Sequence, residues 1–244
     1  MRQRFKKFSP AEHETWRRLF DAQTPKRRDQ VVDLFSVGLT ALGLGPKGIP
    51  DLDEVNRRLE RQTGFRGVPV TGLEDPGSFF RLLANREFPV GNFIRDPVDL
   101  AYTPAPDVFH DLYGHLPFLA DRSYADFCES IGRLALKYLD SPSALQQFDR
   151  LFWFTIEFGL VRTHAGVKIF GAGIASSNAE CAYALGPAPE VVPFDVNQIR
   201  SQDFRIDEFQ KRLFLLESPK QLFTCLPEFE DGLWSASHFP QIVS

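Results

Sequence analysis

The sequence is poor in the cysteines that build disulfide scaffolds and in the long apolar runs that cross membranes. Its 244 residues include three cysteines, an odd number with no CxxC pair. This argues against a disulfide framework or a cysteine-rich zinc site and favours a reducing, cytoplasmic location. No apolar run approaches the roughly 18 residues of a membrane span. No apolar stretch follows the basic N-terminus either, so a secretory signal is not predicted.

An excess of positive charge is also missing. The formal net charge is −4 and the isoelectric point is about 5.8, whereas a surface that binds nucleic acid usually has a basic face. The short basic runs RQRFKK and PKRR are therefore interpreted as solvated surface. Phenylalanine, by contrast, is abundant at 24 residues. It predicts an aromatic-rich core in which some rings line an apolar pocket.

Capping and spacing signals predict an α+β fold that is mostly helical. Ser9-Pro10 followed by Glu12 is a helix-start pattern, and Gly43 and Gly64 end two helices. The predicted helices are SPAEHETWRRLFDAQ, PKRRDQVVDLFSVGLTALGLG, DLDEVNRRLERQTGF, EDPGSFFRLLANREFP, SYADFCESIGRLALKYLDS, PSALQQFDRLFWFTIEFGLV and SNAECAYALG. Short strands are predicted in VKIFGAG, EVVPFD and FRIDEFQKRLFLLES, and residues 88–106 are predicted to be an extended loop. Without repeats or a linker, residues 1–244 are expected to form one domain.

The stretch PDVFHDLYGHLP places two histidines five residues apart. Neutral imidazoles are good ligands for first-row divalent metals, but on a regular helix His110 and His115 would lie about 140° apart. Gly114 and Pro117 allow the chain to leave helical geometry there, so that both rings can face one ion. The spacing alone leaves two interpretations open, a metal site and a pair of buried, hydrogen-bonded histidines.

A single acid, Glu157, interrupts the apolar run FWFTIEFGL. An unpaired buried carboxylate costs several kcal/mol, so the plain alternative is a glutamate that reaches solvent or an arginine. With His110 and His115 it would form a 2-His-1-carboxylate set, which is typical of non-haem Fe(II) oxygenases. A zinc hydrolase with the same ligands is the alternative enzyme. A metal-free helical module that binds amino acids in an aromatic pocket is the non-enzymatic alternative.

Three long motifs, YTPAPDVFHDLYGHLPFLAD, FWFTIEFGL and IFGAGIASS, resemble those of the aromatic amino acid hydroxylases, especially the bacterial phenylalanine 4-hydroxylases. The resemblance covers roughly residues 65–226. It implies the family's catalytic-domain fold, in a single catalytic domain over 1–244. It also implies that O₂ and a tetrahydropterin (tetrahydrobiopterin or a related pterin) hydroxylate the ring of L-phenylalanine to L-tyrosine at a mononuclear Fe(II). A tryptophan hydroxylase of the same family is the alternative, and Trp153 favours phenylalanine by resemblance.

The resemblance implies roles for individual residues. His110, His115 and Glu157 are implied to be the iron ligands and the catalytic centre. Arg95 is implied to bind the substrate carboxylate, and Asp107 to hold this arginine in place. The other residues implied at the substrate are Thr103, Pro106, Trp153, Phe158, Gly173 and Ser176. The residues implied at the pterin are Gly72, Leu73, Phe79, Asp111 and Phe152.

Some 60 residues precede the resemblance and about 20 follow it. Animal members of the family carry an N-terminal regulatory domain and a C-terminal tetramerisation helix, and no heptad run follows residue 226 here. We therefore expect neither feature, and we expect a monomer. The expected partners are L-phenylalanine, O₂ and the reduced pterin, without nucleic acid or membrane.

Overall fold

The computed structural model describes residues 3–100 and 105–238 and confirms the mostly helical α+β fold. Its α-helices are α1 (Pro10–Gln30), α2 (Asp33–Leu42), α3 (Leu52–Thr63), α4 (Pro76–Ala84), α5 (Leu116–Leu119), α6 (Arg122–Ala135), α7 (Pro142–Phe152), α8 (Ala172–Ala175), α9 (Asn178–Ala184), α10 (Val196–Ser201), α11 (Pro219–Phe223) and α12 (Leu226–His238). Its strands are β1 (Arg66–Val70), β2 (Glu87–Gly91), β3 (Leu160–Thr163), β4 (Gly166–Ile169), β5 (Glu190–Pro193) and β6 (Arg212–Leu216). Two π-helices (His110–His115 and Trp153–Glu157) and a 3₁₀ turn (Leu136–Tyr138) complete the elements.

Local capping chemistry sets the ends of the predicted helices. Before α1, the backbone N–H of Glu12 donates to Ser9 Oγ, and the N–H of Ser9 donates to the Glu12 carboxylate, so both halves of a capping box are present. Gly43 and Gly64 follow α2 and α3 with φ of 67° and 80°, a left-handed conformation that glycine adopts without strain. These predicted boundaries are confirmed.

The predicted boundary between the first two helices was wrong. α1 continues through Pro25 to Gln30, and the break comes at Val31 and Val32. Pro25 is exposed, so water can satisfy the carbonyl that its missing N–H leaves free. The chain turns where the Val32 N–H donates to the carbonyl of Ile169, at the end of β4. A long-range contact, rather than the proline, therefore ends α1.

The predicted loop over residues 88–106 was wrong at its start. β2 pairs in parallel with β1 along its whole length. Phe88 and Val90 alternate into the core, which is the pattern of a half-buried strand. Pro89 cannot donate a ladder hydrogen bond, but it lies in an edge strand of a two-stranded sheet, where proline is tolerated.

The second sheet has the strand order β4-β3-β6-β5. Strands β4, β5 and β6 confirm the three predicted strands. The predicted end of the helix PSALQQFDRLFWFTIEFGLV was wrong, because the chain leaves the helix after Glu157 and pairs as β3 with β4 and β6 from Leu160 on. β3 and β4 form an antiparallel hairpin, and β6 pairs in parallel with both β3 and β5. The short helix α8 follows β4 directly and packs against both π-helices. The fold therefore brings three separate segments of the chain together at one point.

The C-terminal helix α12 packs into the core of its own chain through Phe229 and Leu233.

All three cysteines are buried and free of disulfides. Within residues 3–100 and 105–238, every helix is too short or too polar to cross a membrane.

Candidate metal centre

The segment His110–His115 is a π-helix, in which hydrogen bonds close between residues i and i+5. This wider turn brings residue i+5 closer to the face of residue i than a regular α-helix does. The two imidazoles, which a regular helix would separate, therefore face the same space, and their Nε2 atoms are 3.1 Å apart. The chain leaves regular helical geometry here, as predicted, but by widening one turn rather than by breaking at Gly114 or Pro117.

Glu157 ends the second π-helix and completes the group. Its Oε1 lies 3.0 Å from His115 Nε2, and its Oε2 lies 3.7 Å from His110 Nε2. With metal–ligand bonds of about 2.1 Å, neighbouring ligands of an octahedral ion are about 3.0 Å apart. The three ligand atoms lie within 4.8 Å of one another. Their chemistry and spacing therefore fit one divalent ion held on a single face, with its other side open.

The protonation states of His110 and Glu157 suit metal binding. Burial lowers the pKa of His110 to about 4, so its imidazole is neutral near pH 7. Burial alone would raise the pKa of Glu157, but the two histidines and the backbone N–H of Gly173 outweigh it and lower this pKa. Neutral imidazole and ionised carboxylate are the forms that bind metals.

Ser176 fixes the orientation of the His110 ring. Its Oγ lies 3.0 Å from His110 Nδ1 and donates its own proton to the carbonyl of Gly173, also at 3.0 Å. Ser176 Oγ therefore accepts from the Nδ1–H of His110, which leaves the lone pair of Nε2 for a metal. Sequence reasoning placed Ser176 beside the substrate, and the structure adds this contact with a ligand.

Gly173 lies against the carboxylate of Glu157. A Cβ added at Gly173 would lie 2.7 Å from Glu157 Oε2, and a Cβ at Gly171 would lie 2.2 Å from the carbonyl oxygen of Glu157. Both distances are shorter than real side chains allow. The glycines of the FGAG run are thus needed for close packing of α8 against the second π-helix.

Arg95 and Asp107 form a buried pair beside the histidines. Arg95 donates from Nε and Nη2 to the two carboxylate oxygens of Asp107, each at 2.8 Å. Asp107 also accepts the backbone N–H groups of Arg95 and His110, each at 2.9 Å. Burial alone would raise the pKa of Asp107, but Arg95 outweighs it and the pKa is lowered. The pair therefore stays charged and joins Arg95 to the start of the first π-helix.

Aromatic rings form a wall that leads to His115. Phe88 stacks on the His115 ring with centroids 4.5 Å apart, and Phe152 lies parallel to it at 6.4 Å. Phe79 meets Phe152 edge-on at 4.9 Å. Phe79 is half-buried, whereas its neighbour Phe80 is fully buried. Sequence reasoning missed Phe88. The signal for it was the spacing of the apolar residues Phe88 and Val90, two apart along β2.

A second aromatic group surrounds Trp153. Its ring stacks on Phe204 at 4.4 Å and lies 4.6 Å from Phe158. Trp153 Nε1 is buried and has no hydrogen-bond partner among the residues that the structure describes. Phe204 comes from a segment distant in sequence and was not predicted here.

Asp111, predicted at the pterin, is buried beside β2. Its Oδ2 accepts the N–H of Gly91 at 2.7 Å. Burial raises the pKa of Asp111 well above its ordinary value, although the Gly91 N–H acts against this. One of its two oxygens is therefore already occupied within the protein.

The remaining predicted residues are more exposed. Gly72 and Leu73 lie in the loop before α4, and Leu73 is 69% exposed. Pro106 is also exposed. Thr103 lies outside the described residues. The structure therefore does not bring Gly72 and Leu73 against the histidines.

The carboxyl of Glu180 on α9 is expected to make the free energy of unfolding depend on pH. Burial raises the pKa of Glu180 from 4.5 to about 7, so ionisation is less favourable in the folded chain than in the unfolded one. The free energy of unfolding should therefore fall as pH rises through this window. Glu180→Gln removes the penalty and should raise the free energy of unfolding at pH 8 by about 2 kcal/mol.

Denaturant unfolding at pH 5 and pH 8 measures this effect. The exposed Glu74 provides the control, because Glu74→Gln should leave the pH dependence unchanged. Equal pH dependence in wild type and Glu180→Gln would show that Glu180 is not the responsible group.

The sequence matches a known family over nearly its whole length. The family profile of the biopterin-dependent aromatic amino acid hydroxylases matches residues 5–235. This extends well beyond the range of 65–226 that the motifs suggest. Phenylalanine-4-hydroxylase of Ralstonia nicotianae is 42% identical over 231 residues, which span 94% of this chain and 74% of that protein. The Chromobacterium violaceum phenylalanine-4-hydroxylase is 41% identical over 225 residues, or 91% of this chain and 75% of that protein.

Experimental structures agree with the sequence comparison. The crystal structure of Chromobacterium violaceum phenylalanine hydroxylase with bound oxidised Fe(III) matches with a TM-score of 0.90 and 39% identity, covering 96% of this chain and 86% of that one. A second structure of that enzyme, with iron(III) and the oxidised cofactor 7,8-dihydrobiopterin, matches with a TM-score of 0.87 and 40% identity, covering 96% and 85%.

Proposed function

The chain belongs to the biopterin-dependent aromatic amino acid hydroxylases, and from that premise we propose that it converts L-phenylalanine to L-tyrosine with O₂ and a reduced pterin. In the overall reaction, one oxygen atom enters the ring as a hydroxyl. The other is reduced to the level of water, and the reduced pterin would supply the electron pair that this requires. The iron is held by His110, His115 and Glu157.

The observation that carries this proposal is the convergence of two imidazoles and one carboxylate on one point. They come from two π-helices that lie far apart in sequence, within a chain that matches the family from residue 5 to residue 235. When bound, the iron supplies the centre at which O₂ is activated. The chain's own residues bind and orient the substrate and pterin and exclude water.

Arg95 is the proposed anchor for the substrate carboxylate. Its Nε edge is occupied by Asp107, so the donors left for a ligand are those of Nη1 and the second proton of Nη2. Within residues 3–100 and 105–238, Nη1 makes one long contact, 3.4 Å to the carbonyl of Leu100. Asp107 thus fixes the plane of the guanidinium and presents its outer edge, which suits a carboxylate. Thr103 and Pro106 are proposed to lie at the same end of the substrate.

The aromatic group around Trp153 is the proposed pocket for the substrate ring. Trp153 and Phe158 contact each other on the second π-helix and just beyond it, on the side of Glu157. Gly173 and Ser176 contact the ligands directly, so a substrate beside them would lie close to the metal. The pocket would therefore hold the ring that is hydroxylated near the open side of the iron.

The wall that includes Phe79 is the proposed pterin site. A flat bicyclic ring can stack on the half-buried face of Phe79, with Phe152 beside it. Gly72 and Leu73 are proposed to meet the polar edge of the pterin through their exposed backbone. Asp111 has one oxygen free of the Gly91 contact and is proposed to reach the pterin through water.

Phe79→Ala is expected to raise the Michaelis constant for the pterin about tenfold or more. An aromatic pair contributes about 0.5–1.5 kcal/mol beyond burial, and lost burial adds to this. The melting temperature should change little, because the ring is half-buried. Phe79→Tyr should keep most of the function, because the ring face remains. Steady-state kinetics with varied pterin measures the effect.

The neighbouring Phe80 provides the matched control for this test. It is fully buried, so Phe80→Ala should lower the free energy of unfolding by about 3–5 kcal/mol without a selective effect on the pterin. A normal pterin constant together with a much lower melting temperature in Phe79→Ala would assign Phe79 to the core instead.

Anaerobic loading with Fe(II), followed by turnover with phenylalanine, tryptophan and tyrosine, tests the proposed reaction. Mass spectrometry identifies the products. We expect tyrosine from phenylalanine, dependent on both iron and pterin. Preferred turnover of tryptophan would change the substrate, and ester or peptide hydrolysis with zinc in place of iron would overturn the proposal.

We also propose that the protein is a monomer in a reducing, cytoplasmic compartment. Burial of Phe229 and Leu233 in the chain's own core supports the first part, and three free buried cysteines support the second. Light scattering on the purified protein measures the molar mass, and a dimer or tetramer would contradict the monomer.

A further inference from the structure

Helix α1 carries a buried arginine, Arg27, that forms no ion pair with a carboxylate within residues 3–100 and 105–238. Arg27 is 1% exposed. Its Nε donates to the carbonyl of Ala175 at 2.6 Å, its Nη2 to Gln23 Oε1 at 2.6 Å, and its Nη1 to Gln30 Oε1 at 2.9 Å. Among the residues that the structure describes, no hydrogen-bond partner of Arg27 is a carboxylate. Burying a cation without a counter-ion is costly, so neutral packing would be the cheaper solution for stability alone.

The Nε of Arg27 contacts the backbone next to residues that touch the proposed metal ligands. Ala175 is the last residue of α8, and Ser176, which follows it, accepts the Nδ1–H of His110. Gly173 in the same helix lies against Glu157. α8 and the Ser176 that follows it thus contact two of the three proposed metal ligands, and Arg27 holds the C-terminal end of α8. A cation is also favoured at the carbonyl end of a helix.

A second residue of α1 supports the neighbouring segment. Thr24, three residues before Arg27 and on the same side of the helix, hydrogen-bonds with Tyr113 Oη at 3.1 Å. Tyr113 lies within the π-helix that carries both histidines. One face of α1 therefore holds both the histidine segment and the end of α8, which Ser176, the hydrogen-bond partner of His110, follows directly.

We propose that Arg27 is a positioning residue for the metal centre. By holding the Ala175 carbonyl, it sets the place of Ser176 Oγ, and Ser176 in turn orients the His110 ring so that Nε2 faces the ion. This inference rests on the proposed metal site. It gives the buried charge a purpose. The contacts with Gln23 and Gln30 hold the rigid guanidinium in place, and its Nε then fixes the carbonyl of Ala175, which a shorter side chain would leave free.

Arg27→Met tests the proposal, because it keeps the apolar stem and removes the donors. The readout is the rate at which Fe(II)-loaded protein loses its metal to a colour-forming chelator under anaerobic conditions. Loss of partners in the outer shell of a metal costs about 10–100-fold in affinity, so we expect metal loss at least about tenfold faster. Arg28→Met is the matched control, since Arg28 is the next residue and is exposed. It should release iron at the wild-type rate.

A destabilised variant outside the site distinguishes a positioning role of Arg27 from a purely structural one. Leu59→Ala in α3 removes a buried side chain outside the site and should lower the melting temperature without faster metal loss. If Arg27→Met releases iron no faster than Leu59→Ala, the positioning role is wrong. If Arg27→Met does not fold, Arg27→Lys, with Arg28→Lys as its control, gives the same comparison, and iron loss at the rate of its control would refute the role.

A double-mutant cycle tests the route through Ser176. If Arg27 acts through this hydroxyl, adding Arg27→Met to Ser176→Ala should accelerate metal loss little beyond Ser176→Ala alone. Full multiplication of the two effects would contradict the proposed route. A wild-type protein that retains no iron would refute the proposed function itself, whereas wild-type retention with no Arg27 effect refutes this inference alone.

Discussion

Replacing Glu157 by glutamine is expected to abolish iron binding and turnover while leaving the fold intact. Glutamine keeps the shape of the side chain, so packing in the second π-helix is preserved. It removes the charge and one good ligand oxygen, which leaves two imidazoles and an incomplete facial set. The loss of affinity should exceed the roughly 10–100-fold that loss of an outer-shell partner causes. Metal analysis after anaerobic loading and gel filtration measures the retained iron.

The two histidines should behave in the same way. His110→Ala and His115→Ala are each expected to lose iron and turnover, and the latter also loses its stacking on Phe88. His164 is exposed in the turn between β3 and β4, so His164→Ala should retain iron at the wild-type level. Wild-type iron content in any of the three ligand variants would remove that residue from the site.

Removing Asp107 should produce a large loss of stability. Its carboxylate is fully buried and pairs with Arg95, which is also buried. Asp107→Ala leaves the guanidinium charge without its partner and two backbone N–H groups without an acceptor. Breaking a buried pair on one side typically costs 3–5 kcal/mol, so we expect the free energy of unfolding to fall by about that amount. Chemical denaturation measures it.

The surface offers the control for this prediction. Arg205 and Asp207 also form an ion pair, at 2.8 Å, but both side chains are 64% exposed. Asp207→Ala should therefore change stability by less than about 1 kcal/mol. Equal losses in Asp107→Ala and Asp207→Ala would contradict the electrostatic explanation.

Arg95→Lys separates the role in stability from the role in binding. Lysine keeps the charge but loses the planar fork. The Michaelis constant for phenylalanine should rise by the equivalent of about 1.5–3 kcal/mol, the scale of a charged hydrogen bond, with little change in iron content. An unchanged constant would show that Arg95 serves structure alone.

Local signals in the sequence predicted much of the fold. Ser9, Asp51 and Asp75 each cap a helix through a side-chain hydrogen bond to the backbone a few residues on, and such short-range chemistry can be recognised in the sequence. Pro25 misled the prediction because its usual effect on helices was overridden by tertiary contacts. The pairing of β1 with β2 was missed because parallel partners are brought together by the intervening α4 rather than by a turn.

The candidate metal centre likewise combines residues that local sequence predicted with contacts that it did not. The histidines and Glu157 were named from motifs, but neither π-helix was predicted, because the i→i+5 hydrogen bonds depend on the packing around them. The contact from Ser176 to His110 spans 66 residues, and that from Arg27 to Ala175 spans 148. No local pattern encodes such contacts. Sequence motifs therefore predicted the metal ligands, and the structure shows the contacts that orient these side chains.

Turnover under heavy-isotope O₂ tests the central claim most directly. The iron-loaded protein is mixed with phenylalanine and tetrahydropterin, and the product is analysed by mass spectrometry. We predict tyrosine whose new hydroxyl carries the label, formed only when iron, pterin and all three ligand residues are present. Unlabelled product, or no O₂ consumption by iron-loaded protein with phenylalanine and pterin, would contradict the assignment as a pterin-dependent monooxygenase.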